Sequence, residues 1–189
     1  MIFRVRALAI AAAFGLALSA CESATNSDEA PQGTLVFTFS GDTAGTYDAT
    51  GRFNRRRPDV GTFAVGAKGP VTGGEALAVY GHAARTGILA RADDFLMTVE
   101  SPQVGSVTCA VGNADCPFGG IFFVGAVAGG EADAIYTSVS GTVTITSINE
   151  DRARGTFTFQ MEAFGVEEDP RTLQVTGGTF DVPIVQNVT

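Results

Sequence analysis

The chain has no tryptophan, a single histidine and no surplus of positive charge. Each shortage removes a class of function. With His82 alone, any serine- or cysteine-based catalytic arrangement must run through one imidazole, and no G-x-S-x-G nucleophile motif accompanies it. Zinc chemistry lacks ligands, because its sites draw on several cysteines and histidines. Lysine and arginine total 12 against 20 acidic residues, a formal charge of −8, the wrong sign for nucleic-acid phosphates. A P-loop and a strand-to-helix G-x-G-x-x-G turn are both missing, which argues against nucleotide binding. No apolar run reaches the roughly 20 residues that a membrane-spanning helix needs. No cofactor, no metal and no nucleic-acid partner is therefore expected.

The N-terminus follows the grammar of an export signal. Arg4 and Arg6 form a short basic region, no acidic residue precedes Glu22, and Ala7 to Leu18 is small and apolar apart from Gly15. The run ends in Leu18-Ser19-Ala20-Cys21, which resembles the lipobox of bacterial lipoproteins. That resemblance implies cleavage after Ala20 and lipid on the Cys21 thiol, followed by acylation of the new amino group. One acyl chain holds a protein only marginally, at about 0.8 kcal/mol per buried methylene, whereas two or three make a lasting tether. Residues 21–33 are polar, contain Pro31 and show no periodicity, so a flexible stalk is expected there. Glu22 stands where an inner-membrane retention signal typically carries Asp, which favours the outer membrane of a two-membrane bacterium.

Removing residues 1–20 takes two basic residues and no acidic ones, leaving a formal charge of about −10 on residues 21–189, of which residues 34–189 are expected to form one domain. Cys109 and Cys116 then form an even pair in an oxidising compartment, and a disulfide between them is expected. So short a loop stabilises by only ~2.5 kcal/mol on the chain-entropy model. Its expected role is local.

The domain reads as β almost throughout. Leu35, Phe37 and Phe39 share one face of a strand, as do Val143 and Ile145, and Phe157, Phe159 and Met161. Leu173 and Val175, then Phe180, Val182 and Ile184, repeat the pattern near the C-terminus. Period two with β-branched and aromatic residues marks half-buried strands, and glycines punctuate them. Softer candidates are Gly45–Phe53, Gly61–Gly66, Ala76–Gly81, Asp94–Glu100, Gly105–Cys109, Gly120–Val127 and Ala134–Ser138. Gly120–Val127, apolar on both faces, is expected to be central, and Ser147 to Arg154 to be a charged hairpin loop. About ten short, mostly antiparallel strands on one core predict an all-β fold, a β-sandwich or a closed β-barrel. A transmembrane barrel needs strands of about 9–11 residues with aromatic girdles. The clean alternating runs here are about six residues.

The order of the segments Gly45-Thr-Tyr, Gly61-Thr-Phe, the Cys109/Cys116 pair, Gly141-Thr-Val-Thr-Ile-Thr146, Gly155-Thr-Phe-Thr-Phe159 and Gly178-Thr-Phe-Asp-Val-Pro183 is similar to that of a group of uncharacterised β-rich lipoproteins of environmental bacteria. These motifs are structural, so the resemblance supports the fold and implies no activity.

Three candidate sites remain. His82 sits at an expected strand end. The acids Asp93-Asp94, Glu150-Asp151 after Asn149, and Glu167-Glu168-Asp169 fall at expected turns, where solvated loop positions compete with a paired-acid hydrolase site or a calcium loop. Arg52, Arg55, Arg56 and Arg57, followed by Pro58, concentrate positive charge on an acidic chain. Arginine forks suit phosphate and carboxylate, so this segment is either an anion-contacting loop or a solvated loop paired with nearby acids.

The functional expectation is a non-enzymatic envelope lipoprotein whose domain binds something or supports an assembly. A small-ligand carrier with a lipocalin- or avidin-like cavity is the alternative, and a carboxylate-based hydrolase the next. Cys21→Ser is expected to abolish metabolic labelling with radioactive fatty acid. Undiminished labelling of that variant would remove the anchor.

Overall fold

The computed structural model describes residues 31–54, 56, 61–71, 74–85, 91–113, 115–127, 131–165 and 171–185. The export segment, the lipobox with Cys21 and most of the expected stalk lie outside the described residues. Ten strands follow one another: β1 Thr34–Gly41, β2 Gly45–Asp48, β3 Phe63–Val71, β4 Gly74–Ala84, β5 Arg91–Glu100, β6 Gly105–Cys109, β7 Phe118–Val127, β8 Ala134–Ile148, β9 Arg152–Ala163 and β10 Thr172–Pro183. The fold is all-β, as the alternation predicts.

All ten strands belong to one antiparallel sheet in the order β2-β1-β10-β9-β8-β7-β5-β4-β3, with β6 attached to β8 off that path. β7 is internal, between β5 and β8, as its two apolar faces predict. β6 and β7 lie end to end along β8: β6 pairs with Gly141–Ile145 and β7 with Ala134–Thr137. The loop between them is closed by a Cys109–Cys116 disulfide, with Cα atoms 5.8 Å apart.

The sheet is strongly curled, a half-barrel. Its far strand β3 swings round until Gly66 bridges Ile184 beyond β10, with Val185 N donating to Gly66 O at 2.8 Å. Close approach at this seam depends on a glycine pair. Gly33 and Gly51 bridge each other, and a Cβ on either would overlap a β3-side carbonyl oxygen, Ala64 or Thr62. Gly33 is buried, so the domain begins just before Thr34 rather than after a stalk that runs through residue 33.

Two expected boundaries are corrected by bulges. Ala134–Ser138 and Gly141–Thr146 are one strand, β8, whose register shifts between Ser138 and Ser140. Thr172–Thr176 and Thr179–Ile184 are likewise continuous in β10 across a shift between Val175 and Gly178. A bulge adds a residue without ending the strand, so it interrupts the alternation and mimics a turn. Many strands are consequently longer than the six-residue runs suggest, and length alone does not separate this fold from a membrane barrel. Aromatic side chains fill the interior, while Ser, Thr and Gln line the middle of the outer face of β8–β10.

The concave side is the core. Phe37 lies 4.6 Å from Tyr47, 4.9 Å from Phe95, 5.4 Å from Phe122 and 5.8 Å from Phe157, ring centroid to ring centroid. Phe95 stacks on Phe157 at 5.3 Å, and Phe159 extends the group towards Phe118. These rings come from β1, β2, β5, β7 and β9, so one cluster ties distant strands together. Phe37→Ala is expected to cost about 3–5 kcal/mol of unfolding free energy, read from urea denaturation. A loss under about 1 kcal/mol would show that the rings are not closely packed.

Candidate functional site

Asp93 and Asp94 are not turn residues. They sit inside β5, half-buried, on opposite faces of the strand. Asp94 lies opposite His82 in the β4–β5 ladder, and His82 Nδ1 donates to Asp94 Oδ1 at 2.7 Å. Tyr80 Oη donates to the same oxygen at 3.0 Å. The His82 ring stacks on Phe63, 5.4 Å away and nearly parallel, which fixes its plane. Asp93, turned the other way, accepts from Arg85 Nε and Nη2 at 3.0 and 2.7 Å and from the Gly125 backbone N–H at 2.7 Å. Arg91 holds Asp133 through two 2.7 Å contacts nearby. Each carboxylate is therefore matched by cross-strand donors, and the pair cannot serve as two facing acids across a substrate. His82 lies in β4, two residues before its end at Ala84, and is partnered across the ladder by Asp94 of β5.

Of the other acids, Glu150 and Asp151 do lie in the β8–β9 turn, where Asn149 Oδ1 accepts from the backbone N–H of Asp151 and Arg152. The turn spans only residues 149–151, shorter than the Ser147–Arg154 loop expected. Glu167, Glu168 and Asp169 lie outside the described residues. Among the described residues no group of three His, Cys, Asp or Glu side chains is placed to hold a metal ion.

In the arginine segment, Arg52 and Arg56 are exposed, whereas Arg55, Arg57 and Pro58 lie outside the described residues. Phe53 between them folds onto the outer face of β3 and packs with Phe63 and Val65 in a second, smaller apolar cluster. The Arg56 backbone N–H donates to Asn54 Oδ1 at 2.9 Å. Phe53 thus anchors the start of the segment and leaves Arg52 and Arg56 at the surface.

The outer face of the other half of the sheet carries an array that the sequence hinted at only through Thr142-Val-Thr144 and Thr156-Phe-Thr158. Register places Ser106, Thr144, Thr156 and Thr179 in one rank across β6, β8, β9 and β10. Thr108, Thr142 and Thr158 form the next rank, and Ser140, Gln160, Gln174 and Ser40 another. Neighbouring hydroxyls meet at 2.7 Å for Ser106–Thr144 and 2.9 Å for Thr108–Thr142. Where Gly177 and Gly178 form the β10 bulge, side chains are missing and an open groove of about 200 Å³ lies between Thr142, Thr144, Thr156, Thr158 and Thr179. No charged residue stands in these ranks.

Electrostatics concentrate elsewhere. Burial and then the Asp94 charge push the Tyr80 phenol far above its ordinary value. The same two causes raise Tyr47, whose buried Oη makes no hydrogen bond to the described residues. Tyr136 is also raised, by burial and by donating to Asp42 at 2.9 Å. Burial works against the charge of Asp181, yet hydrogen bonds from Arg152 and Arg154 hold its carboxyl below the usual range.

All three tyrosines of the chain are thus raised. A raised phenol gives stability that is complete below the unfolded value near pH 10 and is lost as pH rises through the folded one. Ultraviolet titration of the folded chain should therefore show little phenolate at about pH 10, with ionisation arriving together with alkaline unfolding. A titration half complete near pH 10 in folded protein would contradict this.

No family model, curated protein or solved structure matches the chain, so what its surface can do rests on its own residues.

Proposed function

We propose that the protein is a lipid-tethered module of the bacterial cell envelope, placed at the outer membrane, which acts by binding through its outer surface and not by catalysis. One observation carries the choice of surface over interior: the concave side is occupied by the nested rings of Phe37, Tyr47, Phe95, Phe122 and Phe157. A carrier of lipocalin or avidin type keeps its interior open for a small ligand, and here that volume is taken by side chains. The partnering of Asp93, Asp94 and His82 within the sheet supports the non-catalytic half of the proposal. The export and lipobox pattern supports the tether.

Because the interior is filled, the purified chain is expected to show no saturable uptake of a long-chain fatty acid or a polarity-sensitive apolar dye. Stoichiometric, saturable binding of such a probe, abolished by Phe95→Trp, would place the ligand inside the curl and favour the carrier.

A further inference from the structure

Of the four large apolar side chains most exposed among the described residues, three flank or lie in one short strand: Val104 at 66%, Val107 at 39% and Val111 at 64%. That strand is β6. It pairs with β8 alone, so its other edge carries backbone groups that no neighbouring strand takes up among the described residues. Four of its five residues are exposed.

Open edges invite pairing with another chain, and proteins usually blunt them with lysine, proline, charge or shortness. The two strands at the ends of the main path follow that rule. β3 carries Lys68, paired with Glu75 at 3.2 Å, and Pro70. β2 is four residues long and ends on Asp48. β6 shares the shortness of β2, five residues against four, but has no lysine, proline or charge. No charged residue or proline occurs from Gln103 to Asn113, on a chain whose formal charge is −8. The Cys109–Cys116 disulfide closes the loop at its C-terminal end, so the edge is held ready rather than folded away. On the other side, Ser101 takes a left-handed backbone (φ 47°) that turns the chain out of β5 before β6 begins.

The strand is also complementary to itself. Val107 faces Val143 in the ladder, which puts it on the core side of the sheet, at the rim of the apolar layer. Ser106 and Thr108 lie on the hydroxyl face. If two copies of Gly105-Ser-Val-Thr-Cys109 run antiparallel about Val107, valine meets valine on the inner face and Ser106 meets Thr108 on the outer. Val104 then comes alongside Ala110 of the second copy, with Val111 next to it. Both layers of the sheet continue across the junction, and no charge is brought together.

We propose that two copies of this chain pair edge to edge through β6, antiparallel about a two-fold axis at Val107, making a continuous sheet. Pairing of this kind takes its affinity from main-chain hydrogen bonds and its specificity from alternate side chains. It rests on the reading of the protein as a surface-binding module and names the partner as a second copy. One five-residue ladder falls short of the roughly 1,200 Å² of a stable interface, so the association is reversible.

The test uses the full-length chain in intact bacteria, with a photo-crosslinking residue placed at the edge. Val107→p-benzoylphenylalanine, and separately Ser106→p-benzoylphenylalanine at an exposed position outside the core, should each give on irradiation an adduct of twice the chain's mass. Mass spectrometry should map the second end of each adduct to residues 104–111. Adding Val107→Lys to the Ser106 probe should abolish the adduct, since two lysines would then face each other at the axis, while the thermal midpoint stays within a few degrees. No adduct from either probe, an adduct with a different polypeptide, or attachment outside residues 104–111 would overturn the pairing. A different polypeptide captured at β6 would leave the surface-binding module intact, whereas saturable uptake of the apolar probe would sink the module and not the pairing.

Discussion

Period-two aromatic residues impose the shape of this protein. A flat sheet would expose the rings of Phe37, Phe95, Phe122, Phe157 and Phe159 on one side, at a cost of about 25 cal/mol for every Å² of apolar surface left in water. There is no helix layer to cover them among the described residues, so the sheet must cover itself. Curling brings rings from five strands within 4.6–6.3 Å of one another. It also forces the far strand β3 against Ile184 and the Gly33–Gly51 bridge, where only glycine fits. The glycine seam, the register bulges and the filled interior all follow from that need.

Once the interior is committed to packing, chemistry is left to the outside, and the outside is divided. One half, over β4 and β5, joins Asp94 to Tyr80 and His82 beside the apolar cluster of Phe53, Phe63 and Val65. The other half, over β8, β9 and β10, carries the uncharged hydroxyl and amide ranks, bounded by the Arg154–Asp181 pair at one end and Glu162 at the other. Ranks of β-branched threonine suit exposed strand positions, so the array has a structural explanation without any ligand. The middle of the hydroxyl face thus meets water or a partner without charge.

Much of this was legible in the residues. Alternation located nearly every strand, the doubly apolar Gly120–Val127 was placed inside the sheet, and two cysteines seven positions apart were paired. What escaped depends on register. Asp93-Asp94 looks like a turn because two adjacent acids rarely sit in a strand, yet their partners Arg85 and His82 are 8 and 12 residues away and arrive only when β4 lies beside β5. The expected strand breaks were bulges, between Ser138 and Ser140 in β8 and between Val175 and Gly178 in β10, which no local pattern distinguishes from hairpin turns. The hydroxyl ranks were half visible, since each T-x-T fragment was evident while their alignment across strands was not. The arginine segment stays as the sequence left it, beyond the exposure of Arg52 and Arg56 and the anchoring of Phe53.

The edge at β6 belongs to the same class of hidden feature, and the reason is topological. Gly105–Cys109 reads as an ordinary short strand with one apolar residue between two hydroxyls. Its openness arises because β7 occupies the first part of β8, leaving β6 to pair with the remainder while β5 ends at Glu100. β6 therefore outruns the strand that would have flanked it. The chain could have protected this edge with a single lysine or proline, as it did at β3. Instead it carries valine there, beside a disulfide that restrains the adjoining loop. A short covalent clasp next to an uncharged, unprotected edge serves to present that edge, because the ordering entropy of the loop is then met before any partner arrives.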